Sequence, residues 1–265
     1  MPRARVDPDV FCLGSAVHAC ARGRGVAHAI RLLDLAATES WGHSVRPNAV
    51  VFNTAIHACA KIGFWEGALH LVEDMQKLEV VADVVTYTAA VSACKRGGQW
   101  QCAVWFLSHM RAQSVALDMV ACGAAVSACA KGKQWQQALH LVSSMPMLTV
   151  AMDTVILSSA VSACATTSRW EQALLLVDSA WRASSEPGAI ALNSLLNSCK
   201  QGRAWVCTLN LLERMRRSGP CPEAEALRAS LEACEAADEL WHCEGLRFEL
   251  GCFLQSRIFD SSIRG

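Results

Sequence analysis

Near-identical phrases return along this chain at a fixed distance. SACK at Ser92–Lys95 reappears as SACAKG from Ser127 and as SACATT from Ser162. Aligned on that phrase, cysteines fall at Cys20, Cys59, Cys94, Cys129, Cys164, Cys199 and Cys234. The first gap is 39 residues and the next five are 35 each. A constant short period points to one supersecondary unit stacked on copies of itself, since a single unit cannot bury its own apolar face.

With Val84 opening a repeat, the chain divides into Val10–Asn48, Ala49–Asp83, Val84–Asp118, Met119–Asp153, Thr154–Gly188 and Ala189–Glu223. An eroded seventh repeat, 224–258, and a tail, 259–265, follow. The extra residues of repeat one fall around SWGHSVRPN, where an insertion lies at the surface. In repeat three Tyr87, Val91 and Cys94 share one helical face. Gly97 and Gly98 then end that helix, because glycine tolerates the left-handed cap. Trp100, Ala103, Leu107 and Met110 mark the face of a second helix, repeated as Trp65, Ala68, Val72, Met75 and as Trp135, Ala138, Val142, Met145. The tryptophans read as core filling between helix pairs and not as a base-stacking ladder. Repeat seven is acidic and lacks the glycine break, which suits a terminal cap with a second helix from Glu239 to about Phe253. The expected fold is all-α, an alpha-solenoid superhelix of about seven 35-residue helix-turn-helix repeats over residues 10–258.

Composition excludes several classes. The chain is 52% hydrophobic and 18% charged, too apolar for disorder. The formal net charge is zero, but one face of a solenoid can be basic while the total is neutral. Fourteen cysteines, half of them at one repeat position, read as small buried thiols in a reducing compartment. Equivalent places in stacked repeats lie roughly 10 Å apart, beyond the reach of a disulfide. No apolar run approaches the length of about 18 residues that a transmembrane helix needs. The first residues have no secretory core, and repeat material from Val10 leaves no room for an organelle transit peptide before it.

A second stripe runs along each leading helix opposite the core face: Val85, Thr88, Ser92, Arg96 in repeat three, and Val50, Asn53, His57, Lys61 in repeat two. Arg22, Lys61, Arg96 and Lys131 occupy equivalent places, one cation per repeat. Such a row suits a phosphate backbone laid along a groove; it equally suits the helix dipole, which favours cations at C-termini. The second residues, Phe11, Val50, Val85, Val120, Val155 and Ile190, either pack between neighbouring leading helices or form slots for flat bases. The last residues, Asn48, Asp83, Asp118, Asp153, Gly188 and Glu223, either cap the next helix or reach a ligand edge.

VVTYTAAVSACKRGG, VVFNTAIHACAKIG, WEGALHLVEDM and the closing aspartate resemble the pentatricopeptide repeat family over residues 10–223. The 34-residue tetratricopeptide period would slip out of register over this array. The resemblance implies a single-stranded RNA-binding module with modest sequence preference, reading roughly one base per repeat. It implies that the second residues sandwich bases. It implies that Asn53 with Asp83 reads a pyrimidine, favouring uracil, and that Thr88 with Asp118 reads guanine. Asn193 with Glu223 keeps that chemistry on a longer side chain. Gly123 with Asp153, Gly14 with Asn48, and Ser158 with Gly188 depart from the reading pattern. The family further implies a place in the mitochondrion or chloroplast, acting on RNA processing, stability or translation. No His-x-Glu with a Cys-x-x-Cys pair is present, so no deaminase, no metal, no cofactor and no catalysis are expected. The alternative function is a protein-binding helical-repeat scaffold, and protein effectors are conceivable beside RNA.

Overall fold

The computed structural model describes residues 9–23, 25–37, 47–145, 153–183, 187–218, 222, 224–237, 243–248 and 250. The expected insertion in repeat one lies largely outside them, as do Glu223, the tail and most of the second helix expected for repeat seven. Residues 243–248 of that helix are helical. All described elements are α-helices joined as pairs, an all-α helical-repeat solenoid.

The chain divides into two compact bodies, Met1–Gly132 with Ser144–Ala151 and Lys133–Ser143 with Met152–Gly265. The first body contains α1 (Val10–Arg22), α2 (Val26–Ala37), α3 (Ala49–Ile62), α4 (Trp65–Lys77), α5 (Val84–Gly97), α6 (Trp100–Ala112) and α7 (Met119–Lys131). The second contains α8 (Trp135–Ser144), α9 (Thr154–Ala165), α10 (Trp170–Arg182), α11 (Ala189–Gln201), α12 (Trp205–Ser218) and α13 (Ala224–Glu235). Odd-numbered helices lead their repeats. In the first body α1, α3, α5 and α7 pack side by side, and each second helix also touches the next leading helix. The second body repeats this with α9, α11 and α13.

Small side chains permit that approach. Ala89, Ala90 and Ala93 on α5, and Ala121, Ala124, Ala125 and Ala128 on α7, are all buried. Alanine brings helix axes close without conformational cost. Tyr87, Phe52 and Phe106 fill the remaining volume of the first body, each almost completely enclosed.

Both helices of a repeat close in the same way. The carbonyls of Cys59, Cys94, Cys164 and Cys199 accept from the N–H five residues on, at 2.9–3.0 Å. Met75 and Met110 do so for the second helices, at 2.8 and 2.9 Å. This six-to-one bond needs a left-handed residue just before its donor. Gly63 and Gly98 take that place with φ of 79° and 73°, but Lys133, Ser168 and Arg203 hold the equivalent positions with φ of 55°, 56° and 53°. Glycine is therefore not obligatory at the cap.

The preceding glycine has a different reason to be glycine. A Cβ on Gly97 would lie 2.7 Å from Trp65 Cδ1, one on Gly132 2.5 Å from Trp100 Cδ1, and one on Gly202 2.3 Å from Trp170 Cδ1. Each indole lies edge-on against the end of the next leading helix. The expectation that Gly97 serves the left-handed cap is thus corrected: it makes room for a ring, and Gly98 alone takes the cap conformation. The tryptophans do join one repeat to the next, yet Trp65, Trp100, Trp135, Trp170 and Trp205 are half-buried rather than enclosed. Thr167 stands at the glycine place after Trp135, and there the Arg169 guanidinium covers the ring at 5.3 Å.

The repeated cysteines are free thiols, and Cys59, Cys94, Cys129, Cys164, Cys199 and Cys234 are buried. Burial pushes Cys59, Cys94 and Cys199 up to about 12, and Cys122, Cys129 and Cys164 up to about 11, from an ordinary 9.0. No helix among the described residues is long and apolar enough to cross a membrane.

Two predictions follow from this packing. Gly132→Ala should cost about 1–3 kcal/mol through overpacking against Trp100, and Trp100→Phe in that background should recover part of the loss. Gly98→Ala meets no neighbour within 4 Å, so its loss of about 1 kcal/mol comes from left-handed strain alone and no neighbouring substitution recovers it; urea melts of the variants separate the two. The thiols give the second. A raised folded pKa leaves stability intact below the unfolded value and removes it above. Unfolding free energy should therefore be flat near neutrality and fall as pH rises from 9 through 11 to 12. Cys94→Ala should flatten that fall by up to about 1.4 kcal/mol per pH unit.

Candidate nucleic-acid interface

The second residue of each leading helix lies outside the core. Phe11, Val50, Val85 and Val120 on the first body, and Val155 and Ile190 on the second, range from 50% exposed at Val85 to 81% at Phe11. They are therefore not used to pack neighbouring leading helices together. Water-facing apolar side chains in register are unusual enough to call for a ligand. Between Phe11 and Val50 lies an open groove of about 630 Å³, also lined by Gly14, Ser15, His18, Asn48 and Thr54. The absent side chain at Gly14 leaves that groove wide.

Each helix start supplies a polar group beside the apolar row. Asn48, Asp83, Asp118 and Asp153 cap α3, α5, α7 and α9 by accepting from the backbone N–H three residues on, at 2.7–3.1 Å. In the first body the same carboxylates also face the fifth residue of their own repeats. Asn53 Nδ2 donates to Asp83 Oδ1 at 3.4 Å, and Thr88 Oγ1 donates to Asp118 Oδ1 at 3.2 Å. One carboxylate thus both caps a helix and meets the fifth residue of its repeat. Partial burial pushes the Asp83 carboxyl upward, but hydrogen bonds from the Thr86 backbone and hydroxyl and from Asn53 outweigh it and hold the group below its usual value. Gly188 gives α11 no side-chain cap. Ser158 turns its hydroxyl onto the Val155 carbonyl at 2.9 Å. Gly123 lies within α7 and Asn193 within α11.

Arg22, Lys61, Arg96 and Lys131 all sit in the last turns of leading helices and are exposed. Arg96 Nη1 donates to the Lys61 carbonyl at 2.8 Å, tying one helix end to the next. A guanidinium has five N–H donors, so this bond leaves others for an anion. Lys200, adjacent to the uncharged Gln201, forms an ion pair with Glu232 and does not extend the row.

Thr86 was not legible as a site residue. It is fully buried, and its hydroxyl lies 2.6 Å from Asn53 Oδ1 and 2.8 Å from Asp83 Oδ1. The only sequence signal was a hydroxyl three residues after a capping aspartate, the capping-box spacing. Among groups able to hold a metal, Asp34, His70 and Asp74 come within 4.8 Å of one another on α2 and α4. The Lys77 ammonium, 2.8 Å from Asp74, already supplies positive charge, so the cluster is an exposed ion-pair network.

The low Asp83 pKa sets a sign. A carboxylate held below its unfolded value stabilises at neutral pH and loses that contribution as pH falls through the acid range. Asp83→Ala should cost about 1 kcal/mol at pH 7, and the gap from wild type should close toward pH 3 in acid-dependent urea melts.

No curated protein matches the chain. Residues 47–96 match a family model described as PPR repeat family, and residues 85–115 one described as PPR repeat. Among solved structures the chain is similar to the pentatricopeptide repeat protein PPR10 from maize, with a TM-score of 0.64 at 21% identity, over 92% of this chain and 34% of that one. It is similar to PPR10 in complex with an 18-nt psaJ RNA element, with a TM-score of 0.62 at 20% identity and the same coverages of 92% and 34%. It also resembles the PPR domain of Arabidopsis thaliana protein-only RNase P 1 in complex with tRNA, at TM-score 0.58 and 14% identity, over 72% of this chain and 98% of that domain. The chain thus spans about a third of the length of PPR10. The family models thus find pentatricopeptide repeats over residues 47–115, and the same 35-residue period and paired helices continue beyond them.

Proposed function

We propose that this chain binds single-stranded RNA with modest sequence preference and acts in organellar RNA processing, stabilisation or translation, in the mitochondrion or chloroplast. It binds and does not catalyse. The observation that carries the reading is the exposed apolar row beside capping carboxylates that also face residue five. An apolar side chain on each side of a base gives stacking, and the neighbouring Asn/Thr–Asp pair gives an edge to read. Lys61, Arg96 and Lys131 accompany the backbone. Asn53 with Asp83 favours uracil and Thr88 with Asp118 favours guanine. Asp153, Asn193 and Glu223 contribute weaker edges, so few bases are discriminated.

A second reading, a protein-binding scaffold, has one observation in its favour. Trp105 on α6 is 42% exposed and stacks on His109, with ring centroids 4.9 Å apart. Exposed aromatic side chains are enriched at protein interfaces.

Fluorescence anisotropy with RNA oligonucleotides containing adjacent uridine and guanosine tests the RNA reading. Binding should be salt-sensitive, and Lys61→Ala, Arg96→Ala and Lys131→Ala should each lower the log–log salt slope by about 0.7. A protein partner retained after nuclease treatment and lost with Trp105→Ala, with no RNA binding at micromolar concentration, would establish the scaffold instead.

A further inference from the structure

We propose that a cavity at the junction of repeats two and three takes the guanidinium of an arginine carried on a partner protein segment. The cavity measures about 400 Å³ and lies where α4 and α6 end beside the start of α5. Tyr87, which is buried, forms its floor, and His109, Gln76, Gln113, Glu79 and Val81 line it further out. None of these belongs to the exposed second residues, the Asn53–Asp83 and Thr88–Asp118 pairs or the cation row. The site is therefore independent of the RNA reading.

One wall is held rigid. His109 Nδ1 lies 2.8 Å from the Tyr87 hydroxyl, and Nε2 lies 2.9 Å from Gln76 Nε2. Both ring nitrogens are engaged in either tautomer. Trp105 stacks on the same ring at 4.9 Å, and the Tyr87 ring lies 5.7 Å away. The imidazole is thus a fixed flat surface and not itself a ligand atom. Tyr87 is the one tyrosine of the chain, so no other junction has this wall.

The electrostatics select a cation. Gln76 and Glu79 come from the end of α4 and the turn after it, and His109 and Gln113 from the end of α6. Two helix C-termini, each the negative end of its dipole, meet at one cavity. Glu79 adds a full negative charge. It has no ion-pair partner among the described residues, and the neighbouring Lys77 is held by Asp74 at 2.8 Å. The Glu79 backbone is fixed as well, with φ of 58° and its N–H donating to the Gln76 carbonyl at 3.0 Å.

A guanidinium matches this lining. It is planar, carries five N–H donors and pairs with a carboxylate in bidentate fashion, which leaves donors for the side-chain carbonyls of Gln76 and Gln113. It is also more weakly hydrated than an ammonium, so entering a cavity costs it less. Val81 at the rim is 81% exposed. That apolar side chain gives a contact to the residue beside the arginine, which a free cation would not use.

NMR titration of the ¹⁵N-labelled chain with an N-acetylated leucine–arginine–leucine amide provides the test, with thermal melts alongside. The amide signals of Val81, Tyr87 and Gln113 should shift saturably. The citrulline peptide, neutral and nearly the same shape, should bind about tenfold more weakly, and so should the arginine peptide to Glu79→Gln and Glu79→Gly. Glu79→Gly relieves the left-handed backbone and should melt no lower than wild type, so its weaker binding is not a folding defect. Absence of saturable shifts at millimolar peptide overturns the site. Equal binding of the citrulline peptide, or undiminished affinity in both Glu79 variants, overturns recognition of the charge. Agmatine binding as tightly as the peptide overturns the partner segment as the occupant.

Discussion

How closely one leading helix approaches the next governs the rest of this structure. The contact is made on alanine, with Ala89, Ala90 and Ala93 of α5 and Ala121, Ala124, Ala125 and Ala128 of α7 all buried. Larger side chains there would separate the helices and carry the start of one away from the face of its neighbour. Because they do not, Asp83 at the N-terminus of α5 comes within hydrogen-bonding distance of Asn53 on α3, and Asp118 meets Thr88 in the same way. The candidate base-reading pairs are a product of helix spacing, and the exposed second residues flank them.

That spacing is held from the other side by the tryptophans. The edges of Trp65, Trp100 and Trp170 lie against a glycine at the end of the following leading helix, so a ring in one repeat sets its distance to the next. Half-buried aromatics on bare backbone combine a large apolar contact with a precise stop. Where threonine replaces the glycine at Thr167, an arginine stacks over the ring instead, which keeps the contact without the close approach. The leading helices thus carry the candidate recognition groups while the second helices brace them.

Much of this was legible from period and pattern. The leading helices begin at Val10, Ala49, Val84, Met119, Thr154, Ala189 and Ala224, the first residue of each repeat. A helical face such as Tyr87, Val91, Cys94 depends only on sequence spacing, and it is buried. The second residues were ambiguous, because an apolar side chain reads alike whether it faces a neighbour or water. Gly97 and Gly98 read alike too, yet one accommodates a ring and the other a left-handed turn. Lys133, Ser168 and Arg203 show that the turn itself does not require glycine. Thr86 gave no sign of a contact with Asn53, which lies 33 residues away.

The sequence by itself determined the all-α repeat, its register and its core stripe, because these follow from local periodicity and the need of each repeat to bury one face. Tertiary structure alone decided which apolar residues stay in water, that one carboxylate both caps a helix and faces Asn53, and that a buried hydroxyl sits between the two. Those outcomes depend on distances between neighbouring repeats of a few ångströms, set by alanine and indole packing that no single repeat contains.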